Sequence, residues 1–426
     1  MKDNTSQSFS RFILPFYYES DEGNTMPFCI PDWERIRINT KYLTPAVYEL
    51  FRDNDASACK QYRLKDDARS KYGLPNRTSP ARLSSQMPAC SGEYEFYLSE
   101  FRMIYFSTGM GFISIEVLYL EDSIDSITDF SFCFSNIFTN EHDDGVRENN
   151  LVFCADDNTF SIKKALQHML CIENHKENLK LFPSTSRNRL LVYHSVIMND
   201  RLDNENNCIY RLCGALHTKA YRDDKESINT ISSFGDQLWG ILPNGVVSLA
   251  YINGDNRDFL EKIHRRNVRG DYFSIYVLAL HERELLLEDN YKAVRNRNNT
   301  KKLISMKPHL LEMDILYRFN TVSIEPPYQR FYEELCDKFK LSSLREDISE
   351  VIENVERYMN DYKSRKTNML LSAISILAVF SILIDAISLA DRIKNGNPFG
   401  IMHWSALAII LIGVCIPIIV SMIRKQ

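Results

Sequence analysis

The chain has 426 residues, of which 44% are hydrophobic and 25% charged, and its formal net charge is −5. That length accommodates two domains and a substantial core, while the mild negative charge excludes binding to a nucleic-acid polymer through a global positive field. Ten cysteines (Cys29, Cys59, Cys90, Cys133, Cys154, Cys171, Cys208, Cys213, Cys336 and Cys415) form no CxxC pair and no zinc-ligand spacing, which fits reduced thiols in the cytosol better than a secreted disulfide scaffold.

From the start of the chain, Met1 to Arg11 is polar and offers no secretory leader pattern. A helix is predicted over Pro45 to Phe51. Asp53 to Gly92 is polar, holds Pro75, Pro80 and Pro88, and reads as a long loop or mobile insertion. Glu93 to Leu120 alternates apolar and polar residues around Ser107, Thr108, Gly109, Met110 and Gly111, the pattern of a β-hairpin. Further strands are predicted at Ser131 to Phe138, Leu151 to Phe153, Leu190 to Ile197, Gly245 to Ile252 and Tyr272 to Leu280. Helices are predicted at Ile162 to Glu173, Arg257 to His264, Glu282 to Arg295 and Pro308 to Thr321. This alternation points to an α/β domain with a mixed sheet over residues 1–322.

Three stretches of that domain offer cations to an anionic ligand. His264, Arg265, Arg266 and Arg269 cluster beside Gly270, and guanidinium forks suit phosphate. Arg295, Arg297, Lys301 and Lys302 form a basic, asparagine-rich turn. PSTSRNR, from Pro183, supplies hydroxyls with Arg187 and Arg189. Phe234 and Trp239, in SSFGDQLWG, suit either stacking on an adenine or a core role. Glu141, His142, Asp143 and Asp144 read as a charged turn or a metal chelate, so a metal ligand set stays open. Gly109 and Gly111 lack the lysine of a phosphate loop, and His281 with Glu282 lacks the second histidine of a zinc helix. No catalytic constellation emerges, and no enzymatic activity is expected.

From Leu341 the pattern changes. Leu341, Leu344, Ile348, Val351, Val355, Tyr358 and Tyr362 recur at alternating spacings of three and four, a heptad seam, and no proline or glycine interrupts Leu341 to Leu389. The seam packs either against copies of itself or against the chain's own domain. Met369 to Leu389 carries Asp385 as its only charge and is long enough to span a bilayer; Ile401 to Ile423 is a second such run, with Pro417 tolerable inside it. The short connection, residues 390–400, forces a hairpin, and Lys363, Arg365, Lys366, Arg424 and Lys425 against Arg392 and Lys394 favour both termini on the cytosolic side. Within the first span Asn368, Ser372 and Ser375, then Ser381, Asp385, Ser388 and Arg392, read as one drifting polar face that lines a water-filled path when several copies bundle. Asp385 serves there as a cation-attracting ring or sits near the surface, paired with Arg392 or the second span.

A soluble α/β domain, a long stalk (residues 323–368) and two C-terminal spans resemble the CorA-type metal ion transporters, most closely over Ser323 to Leu389, where a helix, a break and a helix precede Asn368. The Gly-Met-Asn motif of that family is missing; DRIKNGNPFG stands there, with Asn395 and Asn397 as the available analogues. The resemblance implies a homopentameric funnel in the cell inner membrane. It extends to a subset of CorA-like proteins lacking the motif that is associated with type III CRISPR antiviral defence, which implies gating by a nucleotide second messenger, the conjugate of S-adenosylmethionine with AMP. The alternative is a divalent, magnesium-type cation transporter, and a membrane scaffold without a pore is a third reading.

Overall fold

The computed structural model describes residues 8–19, 26–37, 40–52, 57–120, 123–139, 150–184, 188–220, 228, 230–296 and 299–394. The chain divides into two compact units, residues 1–350 and 351–426. In the first unit the elements are, in order, strands β1 (Phe9–Tyr18) and β2 (Trp33–Arg35), helix α1 (Pro45–Phe51), strands β3 (Cys59–Leu64), β4 (Pro80–Ser85), β5 (Gly92–Phe106) and β6 (Met110–Tyr119), and helix α2 (Ile124–Ser135). Then come β7 (Leu151–Ala155), β8 (Asn158–Phe160), α3 (Ile162–Met169), β9 (Leu179–Leu181), β10 (Leu191–Met198), α4 (Glu205–Cys213), β11 (Thr230–Phe234), β12 (Gln237–Leu242) and β13 (Gly245–Tyr251).

The strands form one mixed sheet in the order β11-β12-β13-β10-β1-β6-β5-β4-β7-β8, with β3 (carrying β2) on β5 and β9 on β1. β10 and β13 run parallel, so the predicted mixed α/β domain is observed. The centre is β1, paired antiparallel to both β6 and β10. Every residue of FSRFILPFYY is buried: Phe12, Leu14 and Phe16 face one core, while Arg11 meets the Phe273 ring at 4.1 Å on the other side. A strand covered on both faces shows no clean alternation, which is why the sequence pattern did not announce it.

On the first face, α2, α3 and α4 close the core: Phe12 lies 4.2 Å from Phe134, and Phe96 lies 5.0 Å from Phe130, ring to ring. Ser131 to Phe138 was expected as a strand and is the end of α2 followed by a turn. Its alternating phenylalanines imitate a strand, but Ile127, Phe130 and Phe134 sit three and four apart and share the sheet-facing side. The same core holds a buried polar chain in which Tyr119 Oη donates to Ser10 Oγ, Ser10 Oγ lies 2.5 Å from His194 Nδ1, and Ser131 Oγ meets His194 Nε2 at 3.1 Å. Burial holds the His194 imidazole down to about 3, so it is neutral at physiological pH.

The opposite face carries α5 (Arg257–Phe259), α6 (Arg265–Asn267) and α7 (Phe273–Arg295), joined through two π-helical stretches, Leu260–His264 and Val268–Tyr272. Tyr272 to Leu280 was expected as a strand and is helix. All ten residues from Asp271 to Leu280 are buried, so a helix apolar on every side left no 3.6-residue period to read. The described part of the stretch Asp53 to Gly92, residues 57–92, is not a long loop either: it contributes β3 and β4 and buries Tyr62, Leu64, Tyr72, Leu74 and Leu83. Arg69, fully buried there, donates from Nε to Pro75 O and from Nη2 to Leu98 O, satisfying two turn and strand carbonyls.

After α8 (Thr300–Ser305) and α9 (Lys307–Leu316), α10 (Pro326–Lys338) docks through an aromatic column in which Tyr42, Tyr328, Tyr272 and Trp239 follow one another with centroids 5.0, 4.3 and 4.6 Å apart. The chain breaks at Lys340, whose φ of 54° is left-handed, and then enters α11 (Leu341–Lys394). The helix, break and helix expected here are observed, as is the uninterrupted helix beyond them.

Candidate functional site

Two places can act on something outside the fold. The first is α11, whose length follows from its sequence: 54 residues free of proline and glycine. It contains the one stretch, among the described residues, long and apolar enough to cross a membrane, with a mean hydropathy of 2.5 over its best 18 residues and none of that window buried. Leu377, Phe380 and Ile387 are 69%, 59% and 68% exposed. The heptad seam has two fates: Leu341 and Ile348 are buried, whereas Val351, Tyr358 and Tyr362 are exposed.

The polar residues of α11 divide as well. On a regular helix advancing about 100° per residue, Asn368, Ser372 and Ser375 share one side, and Ser381, Asp385, Ser388 and Arg392 share another roughly 140° around. One drifting face is therefore two faces, and the Asp385 set is the one that carries formal charge. The second predicted span and the residues that stand for the missing motif, Asn395 and Asn397, lie outside the described residues.

The second place is a cavity of about 530 Å³ at the head of α11. Arg318, Lys340, Arg345, Ser342 and Ser343 line it together with Glu282, Glu333 and Asp337 and the edge of the buried Tyr332. α10 brings Tyr332, the left-handed turn brings Lys340, and the first turn of α11 brings the two serines. Burial pushes the Glu282 carboxyl up to about 7, and the Arg345 guanidinium beside it only partly offsets that rise. Three acidic side chains in this lining stand against three basic ones, and its exposed part, Arg318, Lys340, Ser342 and Ser343 at the helix start, is what can meet an anionic group. Neither Arg318 nor Lys340 stood out in the sequence, because they are brought together by the break between the helices.

The residues expected to bind an anion are dispersed. Arg187 lies outside the described residues, as do Arg297, the Glu141 to Asp144 run and the side chain of Phe234. Arg189 donates to Ala215 O at 2.7 Å and lines a small cavity of about 100 Å³ with Arg283 and Glu284. Trp239 is 2% exposed and packs on Tyr272 and Phe331, so it anchors α10 and cannot stack on a ligand's base. His264 is buried against Ser248 Oγ, 3.2 Å from Nε2, and burial holds its imidazole down to about 4. Arg265 is half-buried and Arg266 exposed. The four residues lie along helix rather than in a loop before a strand, so they point in different directions and form no single cation cluster.

Arg269 belongs to a buried ion network. Glu116 Oε2 accepts from Arg11 Nε and Nη2 at 3.1 and 2.9 Å, its Oε1 meets Arg269 Nη2 at 2.9 Å, and Ser99 Oγ donates to Oε1 at 3.2 Å. Arg102 pairs with Glu100 at 2.9 Å beside it. Burial alone would raise the Glu116 carboxyl, but Arg11, Arg269 and Arg102 outweigh it and hold it below the usual range. The expected phosphate fork is thus already occupied by an internal carboxylate. His281, buried, hydrogen bonds Thr108 Oγ1 at 2.8 Å and stacks on Phe106, while Gly109 supplies the left-handed turn of the β5–β6 hairpin.

No known protein family, no curated protein and no solved structure matches this chain.

Proposed function

We propose that the chain is a CorA-like, homo-oligomeric membrane channel or channel-forming effector, gated by a nucleotide-type ligand bound to its soluble unit. The observation that carries this reading is α11, an unbroken helix whose apolar stretch Met369 to Leu389 is exposed and bears Asp385 as its single charge. An exposed apolar surface of that length is costly in water and at home in hydrocarbon. A lone carboxylate in it faces a protein interior or a water-filled path, and a ring of copies supplies both. Tyr358 and Tyr362 continue the seam on which the copies associate.

In this reading both termini are cytosolic, the second span is Ile401 to Ile423, and a pentamer sits in the inner membrane. The ligand class is the S-adenosylmethionine conjugate of AMP. Its phosphate goes to Arg318, Lys340 and the start of α11. Binding there opens the path only through a higher affinity for one arrangement of the α10–α11 junction over another. A service in type III CRISPR antiviral defence follows from the family resemblance. The rival, a divalent-cation transporter, differs in what should stabilise the protein.

The test is thermal stability of the detergent-purified full chain against nucleotides, the conjugate included, and against magnesium, cobalt and zinc, followed by ion flux from liposomes. A shift with a nucleotide, together with nucleotide-dependent flux, supports the gated channel. A shift with divalent metals alone overturns it in favour of the transporter, and liposomes that stay tight under every ligand leave a scaffold without a pore.

A further inference from the structure

The face of the sheet covered by α2 brings together two thiols that the channel reading does not use. Cys90 lies in the turn between β4 and β5, Cys133 near the end of α2, and their Sγ atoms are 3.0 Å apart. Ser85 Oγ sits beside both, 3.5 Å from Cys133 Sγ and 4.0 Å from Cys90 Sγ. The two cysteines are 2% and 0% exposed, but Pro88 and Ser91 on either side of Cys90 are at the surface. A local opening of this short turn is enough to admit a small oxidant, without unfolding the sheet.

We propose that Cys90 and Cys133 are a redox-active dithiol, converted by a peroxide-class oxidant into a disulfide that ties the β4–β5 turn to α2. Cys90 is the attacking thiol. Its contact with the Cys133 thiol holds it below the ordinary thiol range, against the effect of burial, whereas Cys133 is pushed well up by the same contact and by burial. The Cys90 thiolate attacks one peroxide oxygen; the O–O bond breaks, Cys90 becomes a sulfenic acid, and the leaving hydroxide takes up the thiol proton as water. Cys133 sulfur then attacks the Cys90 sulfur, the S–S bond forms, the S–O bond breaks, and a second water leaves. Two thiols have lost two electrons and two protons, and the peroxide has become two waters. The cross-link joins residues 43 apart in the chain, so it removes freedom from the unfolded state and raises stability.

The experiment exposes the full chain in detergent to hydrogen peroxide, quenches it, blocks free thiols with iodoacetamide under denaturing conditions and maps the peptides. The expected result is a Cys90–Cys133 disulfide that dithiothreitol reverses, with a melting midpoint raised by roughly several degrees in the oxidised form. In Cys133→Ser the sulfenic acid at Cys90 has no resolving thiol and is captured by dimedone. Two fully alkylated thiols after oxidant, or Cys90 bonded to a different cysteine, overturns the proposal whatever the variant does.

Discussion

Arg345, at the head of α11, forms an ion pair with Glu282 in the middle of α7, and its Nε also lies 3.1 Å from Asp314 Oδ1 on α9. Three helices thus meet at one guanidinium. Glu282 is 2% exposed, and burial lifts its carboxyl to about 7 from an ordinary 4.5. The folded state therefore holds this proton more tightly than the unfolded state does. Its contribution to stability is complete below about pH 4.5 and is lost as the pH rises through 7.

Removing Arg345 leaves a buried carboxylate with its guanidinium gone, a loss of about 3 kcal/mol when the carboxylate is ionised. Arg345→Met should therefore destabilise the protein strongly at pH 8 and much less at pH 6, where Glu282 escapes the penalty by taking up a proton. Glu282→Gln should flatten the fall in stability between pH 5 and 8. Denaturant titrations of the full chain across that range read both outcomes, and an Arg345→Met loss that ignores pH would show that packing rather than charge is at stake.

Glu116 offers a sharper charge test, because Arg11 and Arg269 both converge on it and Arg102 lies close enough to lower its carboxyl further. Glu116→Gln keeps the shape and removes the compensating charge, and a buried cation left uncompensated costs about 3 to 5 kcal/mol. The expected outcome is a marked drop in the melting midpoint of the first unit. Arg11→Met should be comparably harmful, and the Arg11→Met/Glu116→Leu pair less so than the sum of the two single changes. A double mutant whose losses simply add would argue against coupling within the network.

What could be read from the sequence was alternation, helical period or a short apolar run bounded by turn residues, the last even where both faces are covered, as in β10 and β13. The β5–β6 hairpin, β7, β10 and β13, and α1 and α3, were all legible from alternation, period and turn residues. Two other elements covered on both sides were missed: β1 has no polar face, and the start of α7 has no polar stripe. The basic residues near Arg269 looked like a ligand site because the sequence does not reveal that Glu116, 153 positions earlier, is their partner. The cavity at the head of α11 depends on a left-handed lysine, Lys340, a backbone state that residue type does not signal.

Gly109 tests the reading of the Gly109–Gly111 pair as backbone geometry. Its φ is 86°, and a Cβ placed on it would stand 2.4 Å from the Tyr18 carbonyl oxygen, which is backbone and cannot swing away. Gly109 O also accepts from Tyr18 N at 2.9 Å, tying the hairpin turn to β1. Gly109→Ala should cost about 2 kcal/mol or more through strain and displacement of that contact. Circular dichroism melts should show a lower midpoint with no change in ligand response. A ligand response lost at unchanged stability would return the glycine pair to a binding role.

Asp385 bears most directly on the channel. It is the one charge within Met369 to Leu389, and on α11 it shares a side with Ser381, Ser388 and Arg392 rather than with Ser372 and Ser375. If copies of α11 surround a water-filled path, Asp385→Asn keeps the size and polarity of the side chain while deleting the negative ring that concentrates cations. Cation flux from liposomes should fall severalfold, its preference for cations over anions should weaken, and the oligomer should remain intact on size exclusion. Ser372→Ala, on the other side of the helix, should leave flux near the wild-type level. Leu377→Arg, which puts a charge worth about 2.5 to 3.5 kcal/mol at the middle of the apolar stretch, should instead reduce membrane retention itself. Unchanged flux and selectivity in Asp385→Asn, with membrane retention intact, would remove the carboxylate from the path and leave α11 as an anchor.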